Sequence, residues 1–444
     1  MTINYKNIGL FFLVACLILG TGFVQSWNTA LFILNMGLVS AIMALGVNLQ
    51  WGFAGLFNVG IMGFVALGGL AAVLISMPPT TEAWAAGGLR VILGLSLGAA
   101  TVTAAILVQL RMAAGRARTL TTIAILIGGF FIYRAVFDGG VAAVEAVDAA
   151  GTGYLGGLNF GGASYKDWGF MTLISWPVGG LLAAGVAWLI GKTALGLRSD
   201  YLAIATLGIS EIIIAVMKNE DWLSRGVKNV IGLPRPVPYE IELQESAGFI
   251  ERTTALGLDP VTSSSIVVKL GYAGLFSIVL VIVLILAQLA LASPWGRMMR
   301  AIRDNEEAAE AMGKNVTARH LQIFILGSAI CGVAGAMMTT LDSQLTPSSY
   351  QPLRFTFLVW VMVIVGGSGN NFGSVLGGFL IFFLWVQVEP MGAILMQILT
   401  SGMAEDNVLR LHLLDSVAHM RLLTMGLILI LVLRFAPKGL IPEK

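Results

Sequence analysis

"AIRDNEEAAEAMGKNV", residues 301–316, carries six charged side chains in sixteen positions. It lies between two apolar runs, 266–291 and 321–340, that carry almost none. Each run is long enough, at about 20 residues, to cross the hydrocarbon layer of a bilayer as a helix. The charged stretch then has to sit in water at one membrane face, and the whole chain has to be organised around that constraint. Composition agrees. Of 444 residues, 57% are hydrophobic and 11% charged, with a mean hydropathy of +0.87, whereas soluble domains carry about 25% charge. A soluble fold is excluded on that ground.

Other classes fall away as well. A net charge of +2 without any basic run gives nucleic acid nothing to bind. Cys16 and Cys331 both lie in apolar runs and read as small packing residues. His320, His412 and His419 are scattered and lack metal-ligand spacing. No nucleophile–base set is visible, so the chain does not read as an enzyme.

Uninterrupted apolar runs predict helices rather than a barrel, because a helix satisfies its own backbone and barrel strands alternate in polarity. The fold class is therefore all-α: a polytopic integral membrane protein with ten to twelve transmembrane helices, residues 1–444 forming one domain. The predicted spans are 8–24, 29–50, 58–76, 89–110, 119–137, 171–190, 201–217, 266–291, 321–340, 355–367, 373–388 and 420–434. The first is read as a retained span rather than a signal peptide, since no small-residue cleavage site follows it. The pair 355–367 and 373–388, joined around "GSGNN" (367–371), reads as broken or tilted helices near the bundle centre. "GIMGFVALGG" (60–69) places small residues at the spacing that lets helix backbones approach closely. Short loops rich in Arg111, Arg116, Arg118, Arg297, Arg300 and Arg303 fall on the same side as both termini. Arg198 and Lys444 add to that side. The positive-inside rule makes it the cytoplasm. The loop 292–320 is then cytoplasmic, and the long loop 218–265 is extracytoplasmic.

Within 292–320, Pro294 breaks the preceding helix, and a second helix is predicted from Gly296 to a stop at Gly313. Ala308, Ala309 and Met312 give it a low-relief face bordered by acids. Such a face suits a protein groove better than lipid headgroups, which favour a basic polar side. A docking helix is the preferred reading, with a solvated connector as the plain alternative.

"EAAEAMG" (307–313) resembles the EAA-x-x-x-G cytoplasmic motif of bacterial ABC importer permeases. Four further stretches extend the likeness: "ALGVNLQWGFAGLFNVG" (44–60), "LRSDYLAIATLGISEII" (197–213), "VWVMVIVGGSGNNFGSVLGGFL" (359–380) and "RLLTMGLILILVLRFAPKGLI" (421–441). Taken in this order, they resemble the M-type permease subunit of branched-chain amino acid importers of the bacterial inner membrane. The resemblance implies a second permease of H type, two cytoplasmic ATPase subunits and an extracytoplasmic substrate-binding protein as partners. It also implies that ATP is used by those partners, with no cofactor bound by this chain. By the same resemblance Glu307, Ala308, Ala309 and Gly313 fall on the helix that couples to the ATPase. The chain departs from the family pattern after Gly60, where Ile61 and Met62 replace a usual polar or aromatic residue, and it carries additional sequence around 111–170. Relatives that import urea, short amides or other amino acids leave those substrates open. An ion-driven secondary transporter is the rival mechanism.

Candidates for a translocation path are few. Glu211 is the clearest ionisable residue within an apolar run, and such groups tend to face a bundle interior. Asn48 and Asn58, with Gln50, flank the break "WGFAGLF" and either stabilise that turn or line the path. "GLPRPVPYE" (232–240) reads as a stiff surface loop. Trp176, Trp188, Trp222 and Trp385 read as interfacial anchors.

Overall fold

The computed structural model describes residues 5–151, 153–159, 165–196, 199–404 and 407–443. Among these, ten helices are long and apolar enough to cross a membrane, and two shorter apolar helices join them. The bundle begins with α1 (Tyr5–Val24), α2 (Trp27–Val47) and the short α3 (Ile61–Ser76). A helical hairpin follows, α4 (Thr81–Arg111) and α5 (Arg116–Glu145), then α6 (Tyr165–Ala194) and α7 (Ser199–Asn219). After a loop region comes α8 (Pro260–Ala292), then two short helices, α9 (Pro294–Asp304) and α10 (Glu306–Ala311). The chain continues through α11 (Val316–Asp342), α12 (Pro352–Gly366), α13 (Asn371–Leu399), α14 (Val408–Asp415) and α15 (Met420–Phe435).

The predicted spans all fall on helices, with several boundaries moved. The 119–137 run is part of a 30-residue helix, α5. The predicted start of the third span at 58 is corrected to Ile61, because residues 55–60 are an open turn. Arg198 and Lys444, and part of the glycine-rich stretch 151–162, lie outside the described residues.

Burial sorts the helices. In its most apolar window α2 is 83% buried, whereas α5 is 11% buried. A helix apolar on every side belongs at the centre of a bundle, and "LFILNMGLVSAIMALGV" is such a sequence. Around α2 pack α1, α8, α11, α12 and α13, while α3 packs on α6 and α11; the α4–α5 hairpin lies at the edge. The centre is held by close backbone approach. A Cβ on Gly68 would lie 1.8 Å from the carbonyl oxygen of Gly332, and one on Gly335 would lie 1.9 Å from that of Val65. Helix association in lipid relies on such packing because burial of apolar surface gives little drive there. Gly335→Val is therefore expected to lower the melting temperature of the detergent-purified protein, the overpacking costing about 1–3 kcal/mol. Gly185→Ala, where a Cβ meets nothing within 4 Å, is the control that leaves it unchanged or slightly higher.

The helix ends define two faces. At one face, Val230–Ile231 (β1) pairs antiparallel with Gln344–Leu345 (β2). The proline-rich 232–240 stretch belongs here. It is packed rather than free: Leu233 and Val237 are buried, and Arg235 bonds both Ser343 (2.7 Å) and Glu240 (2.8 Å). Trp176 is likewise corrected from an interfacial anchor to a core residue. It is buried and donates from Nε1 to the Thr340 hydroxyl at 3.2 Å. At the opposite face lie α9, α10, the start of α11 and the tail after α15.

Candidate coupling surface and the polar hinge beneath it

The single helix expected from Gly296 to Gly313 is two. Asn305 adopts extended backbone (φ −156°, ψ 99°) and its side chain accepts a hydrogen bond from the Ala308 amide at 3.0 Å. An Asn at this position ends one helix by capping the next, which is the reason for the correction. Upstream, α9 is strongly amphipathic. Pro294 occupies its first turn, and Gly296, Met299 and Ile302 are buried at three-residue spacing. Downstream, α10 closes at Gly313, whose φ of +77° suits glycine. There the Gly313 amide donates to the Glu310 carbonyl (2.8 Å) and the Lys314 amide to that of Ala309 (3.2 Å).

Of the four residues assigned to coupling from sequence, Glu307, Ala308 and Gly313 are exposed, whereas Ala309 is half-buried against the core. The outward face of α10 is thus Ala308 and Met312, one turn apart, with Glu307 beside them. Met312 is 79% exposed. A six-residue helix has little stability of its own, so its two caps and its seat on the bundle fix its shape.

Arg303, at the end of α9, ties that seat to two distant parts of the chain and to its neighbour Asp304. Its guanidinium donates to the carbonyl of Gly52 (2.5 Å), to Glu443 (2.9 Å) and to Asp304 (3.1 Å). Partial burial works against its charge. The hydrogen bonds and charges of Glu443 and Asp304 outweigh that and raise its pKa above the ordinary value. The sequence marks Arg303 only as one of several basic residues on one face. Its role follows from contacts with residues 251 and 140 positions away, for which no local signal exists.

Gly52 ends the π-helical turn Asn48–Gly52 that continues α2. This turn is held by buried side chains. Asn48 donates to Asn371 (3.0 Å) and accepts from the Gly369 amide (2.9 Å). Gln50 donates to Phe324 O (2.9 Å) and Ser328 (3.0 Å), and accepts from Asn58 (2.9 Å). The Asn58 carbonyl takes the Trp360 indole N–H at 3.1 Å. Asn48, Gln50 and Asn58 are all buried, and buried amides without partners cost about 1–3 kcal/mol each. Gln50→Leu is expected to destabilise the protein by at least that amount, read as a fall in thermal midpoint with Asn58 and Ser328 left unsatisfied.

Glu211 lies elsewhere. It is exposed on α7 and lines an open groove of about 720 Å³ together with Lys218, Gln351, Arg354 and Leu422. The structure therefore places Asn48 and Asn58 at the same break, Asn58 through its bond to Gln50, and separates both from Glu211.

A bundle of this kind, with a capped helix exposed at one face and a buried polar break behind it, defines a multi-pass membrane permease. Residues 149–433 match the family model described as "Branched-chain amino acid transport system / permease component", and the chain belongs to that family. Among curated relatives it is 30% identical over 222 residues to the Escherichia coli high-affinity branched-chain amino acid transport system permease protein LivM, covering 49% of this chain and 50% of that protein. A probable LivM of Methanocaldococcus jannaschii is 23% identical over 248 residues, covering 56% and 61% of the two chains. The fructose import permease protein FrcC of Rhizobium meliloti is 28% identical over 102 residues, covering 22% and 28%. The chain thus matches about half the length of the first of these relatives. No solved structure matches it.

Proposed function

We propose that this chain is the M-type permease subunit of an ATP-driven importer, forming with an H-type permease the path for leucine, isoleucine and valine. The observation that carries the reading is the outward face of α10, capped at both ends and joined through Arg303 to the broken end of α2. In this reading α10 sits in a groove of a cytoplasmic ATPase subunit, and an extracytoplasmic binding protein delivers substrate to the β1–β2 face. Both termini and α10 are then cytoplasmic, in the inner membrane. Closure of the ATPase pair carries α9 and α10 as one body, and Arg303 passes that displacement to the Asn48–Gly52 turn and the Gly367–Asn370 turn. Rigid elements moving between alternative arrangements are the ordinary means of alternating access.

Glu211 fits a place on the path, because an acid midway along a spanning helix is costly against lipid, and its groove opens where a second permease can cover it. Asn48 and Asn58 serve the path by holding the break in α2. The test is reconstitution: uptake of labelled leucine into proteoliposomes that hold this chain, its second permease and the ATPase subunits, supplied with the binding protein. Uptake that needs ATP and ignores ion gradients supports the reading. Uptake that persists without ATPase subunits and follows an ion gradient favours the secondary transporter instead.

A further inference from the structure

A second cavity, of about 400 Å³, lies inside this one chain, between α2, α3, α11, α12 and α13. Sites for small molecules fall in the range of about 300–1,000 Å³. Five of the chain's nineteen methionines line it: Met36, Met43, Met62, Met338 and Met362. Unbranched, polarisable side chains of this kind adapt to aliphatic shapes. Two opposite charges also face it, Asp342 at the end of α11 and Arg421 at the start of α15.

Neither charge is fully used by the protein. Asp342 is accessible from the cavity and makes no hydrogen bond or ion pair with the described residues. Arg421 pairs with Glu389 through one terminal nitrogen, while its buried Nε has no partner. A guanidinium has five donors, so Arg421 keeps capacity for a second carboxylate. Trp385, also in the lining, holds Arg421 at 5.8 Å and Arg354 at 5.3 Å from its ring centroid. Glu389, paired with Arg421, and Arg354, on the Trp385 ring, stand beside the lining rather than in it, so two acids and two guanidiniums balance at this mouth.

We propose that this cavity binds an amino acid zwitterion with an aliphatic side chain: the ammonium at Asp342, the carboxylate at Arg421 and the side chain among the methionines. A lipid tail would fill the apolar part and leave Asp342 unpaired. A lone anion would meet Asp342, and a lone cation would meet Arg421. A neutral zwitterion matches both charges and leaves the balanced mouth balanced. The inference rests on the permease reading above and deepens it, placing a substrate site within one subunit, next to the Glu211 groove, with which it shares Tyr350.

Equilibrium binding of tritiated leucine to the full-length chain in nanodiscs tests it, with leucinamide and 4-methylpentanoate as competitors that each lack one charge. Leucine should bind, and neither analogue should compete well. Asp342→Asn should weaken leucine roughly tenfold to a hundredfold and improve binding of 4-methylpentanoate, because the repelling carboxylate is gone. Met362→Trp, which fills the cavity, should abolish binding. Arg421→Gln leaves Glu389 without its partner, so the Asp342→Asn result decides if that variant fails to fold. Absence of leucine binding, binding unchanged in Asp342→Asn, or equal competition by both analogues overturns the proposal. ATP-driven uptake by the reconstituted wild-type importer separates the two claims. Intact leucine uptake with any of those outcomes rejects the cavity alone, and no leucine uptake by wild type rejects the permease reading itself.

Discussion

A Gly313→Trp variant is expected to lose ATP-driven uptake by tenfold or more (on the order of 1.4 kcal/mol or above) while the bundle stays folded. Two effects add. Gly313 holds a φ of +77°, where a residue with a Cβ costs about 1–2 kcal/mol, so the end of α10 unwinds or shifts. The indole also stands on the side that meets the ATPase subunit in the proposed assembly, and a low-relief face cannot absorb it. Gly313→Ala separates the terms, since it adds the strain without the bulk and should lose much less. Glu307→Lys attacks the same contact through charge. Glu307 is exposed and makes no hydrogen bond or ion pair with the described residues, so reversal should spare folding and act only on the partner. Monodisperse gel filtration with an unchanged thermal midpoint, alongside failed copurification with the ATPase subunits, is the expected pattern. Normal uptake in both Gly313→Trp and Glu307→Lys would remove α10 from the coupling scheme.

The second large effect belongs to Arg303→Ala, which should separate ATP hydrolysis from transport. Arg303 does not lie on the docking face. It joins α9 to the Gly52 carbonyl and to Glu443. Charged hydrogen bonds of this kind contribute about 1.5–3 kcal/mol each. Without them the seat of α10 can move while the Asn48–Gly52 turn stays behind. Assembly with the ATPase and its hydrolysis should persist, uptake per ATP should fall about tenfold, and Glu443→Gln should act in the same direction more weakly. Arg303→Lys is the discriminating variant: a point charge keeps the Glu443 pair but cannot serve three acceptors at once, so partial coupling is expected. Equal loss of hydrolysis and uptake in Arg303→Ala would instead mark Arg303 as part of the docking surface.

The architecture was legible because the physical signal for a span is local. About twenty apolar residues suffice to identify one, and the runs ending at Leu291 and starting at Leu321 do lie on α8 and α11. Boundaries were harder to read where helices continue into polar sequence. On α5 the 119–137 run extends to Glu145, past an Arg134–Asp138 pair at helical i,i+4 spacing. The charged helical stretch 301–316 was legible as sequence, but its division at Asn305 was not, since helix-forming residues surround a side chain whose capping bond wins locally. Asn48, Gln50 and Asn58 were visible as polar residues around a break, without any sign that Asn48 bonds Asn371 and Gly369 while Gln50 bonds Asn58 and Phe324. Arg303 was visible only as one basic residue of a charged loop, while Asp342 and Arg421 stand at the edges of apolar runs, where charge is commonplace; the significance of all three comes from elements brought together only by folding.

Site-directed crosslinking measures at once the position of α10 in the working assembly and its contact with a neighbour. An Ala308→Cys variant offers a thiol on the exposed face, while the native Cys331 is buried; a Cys16→Ser background removes the other native thiol. With α10 as a cytoplasmic docking helix, a membrane-impermeant maleimide fails to label position 308 in intact cells but labels it in inverted vesicles. A bifunctional maleimide then joins position 308 to the ATPase subunit, with a yield that changes when ATP binds. Labelling from outside intact cells, or no crosslink to any neighbour through a full cycle of hydrolysis, contradicts that role of α10.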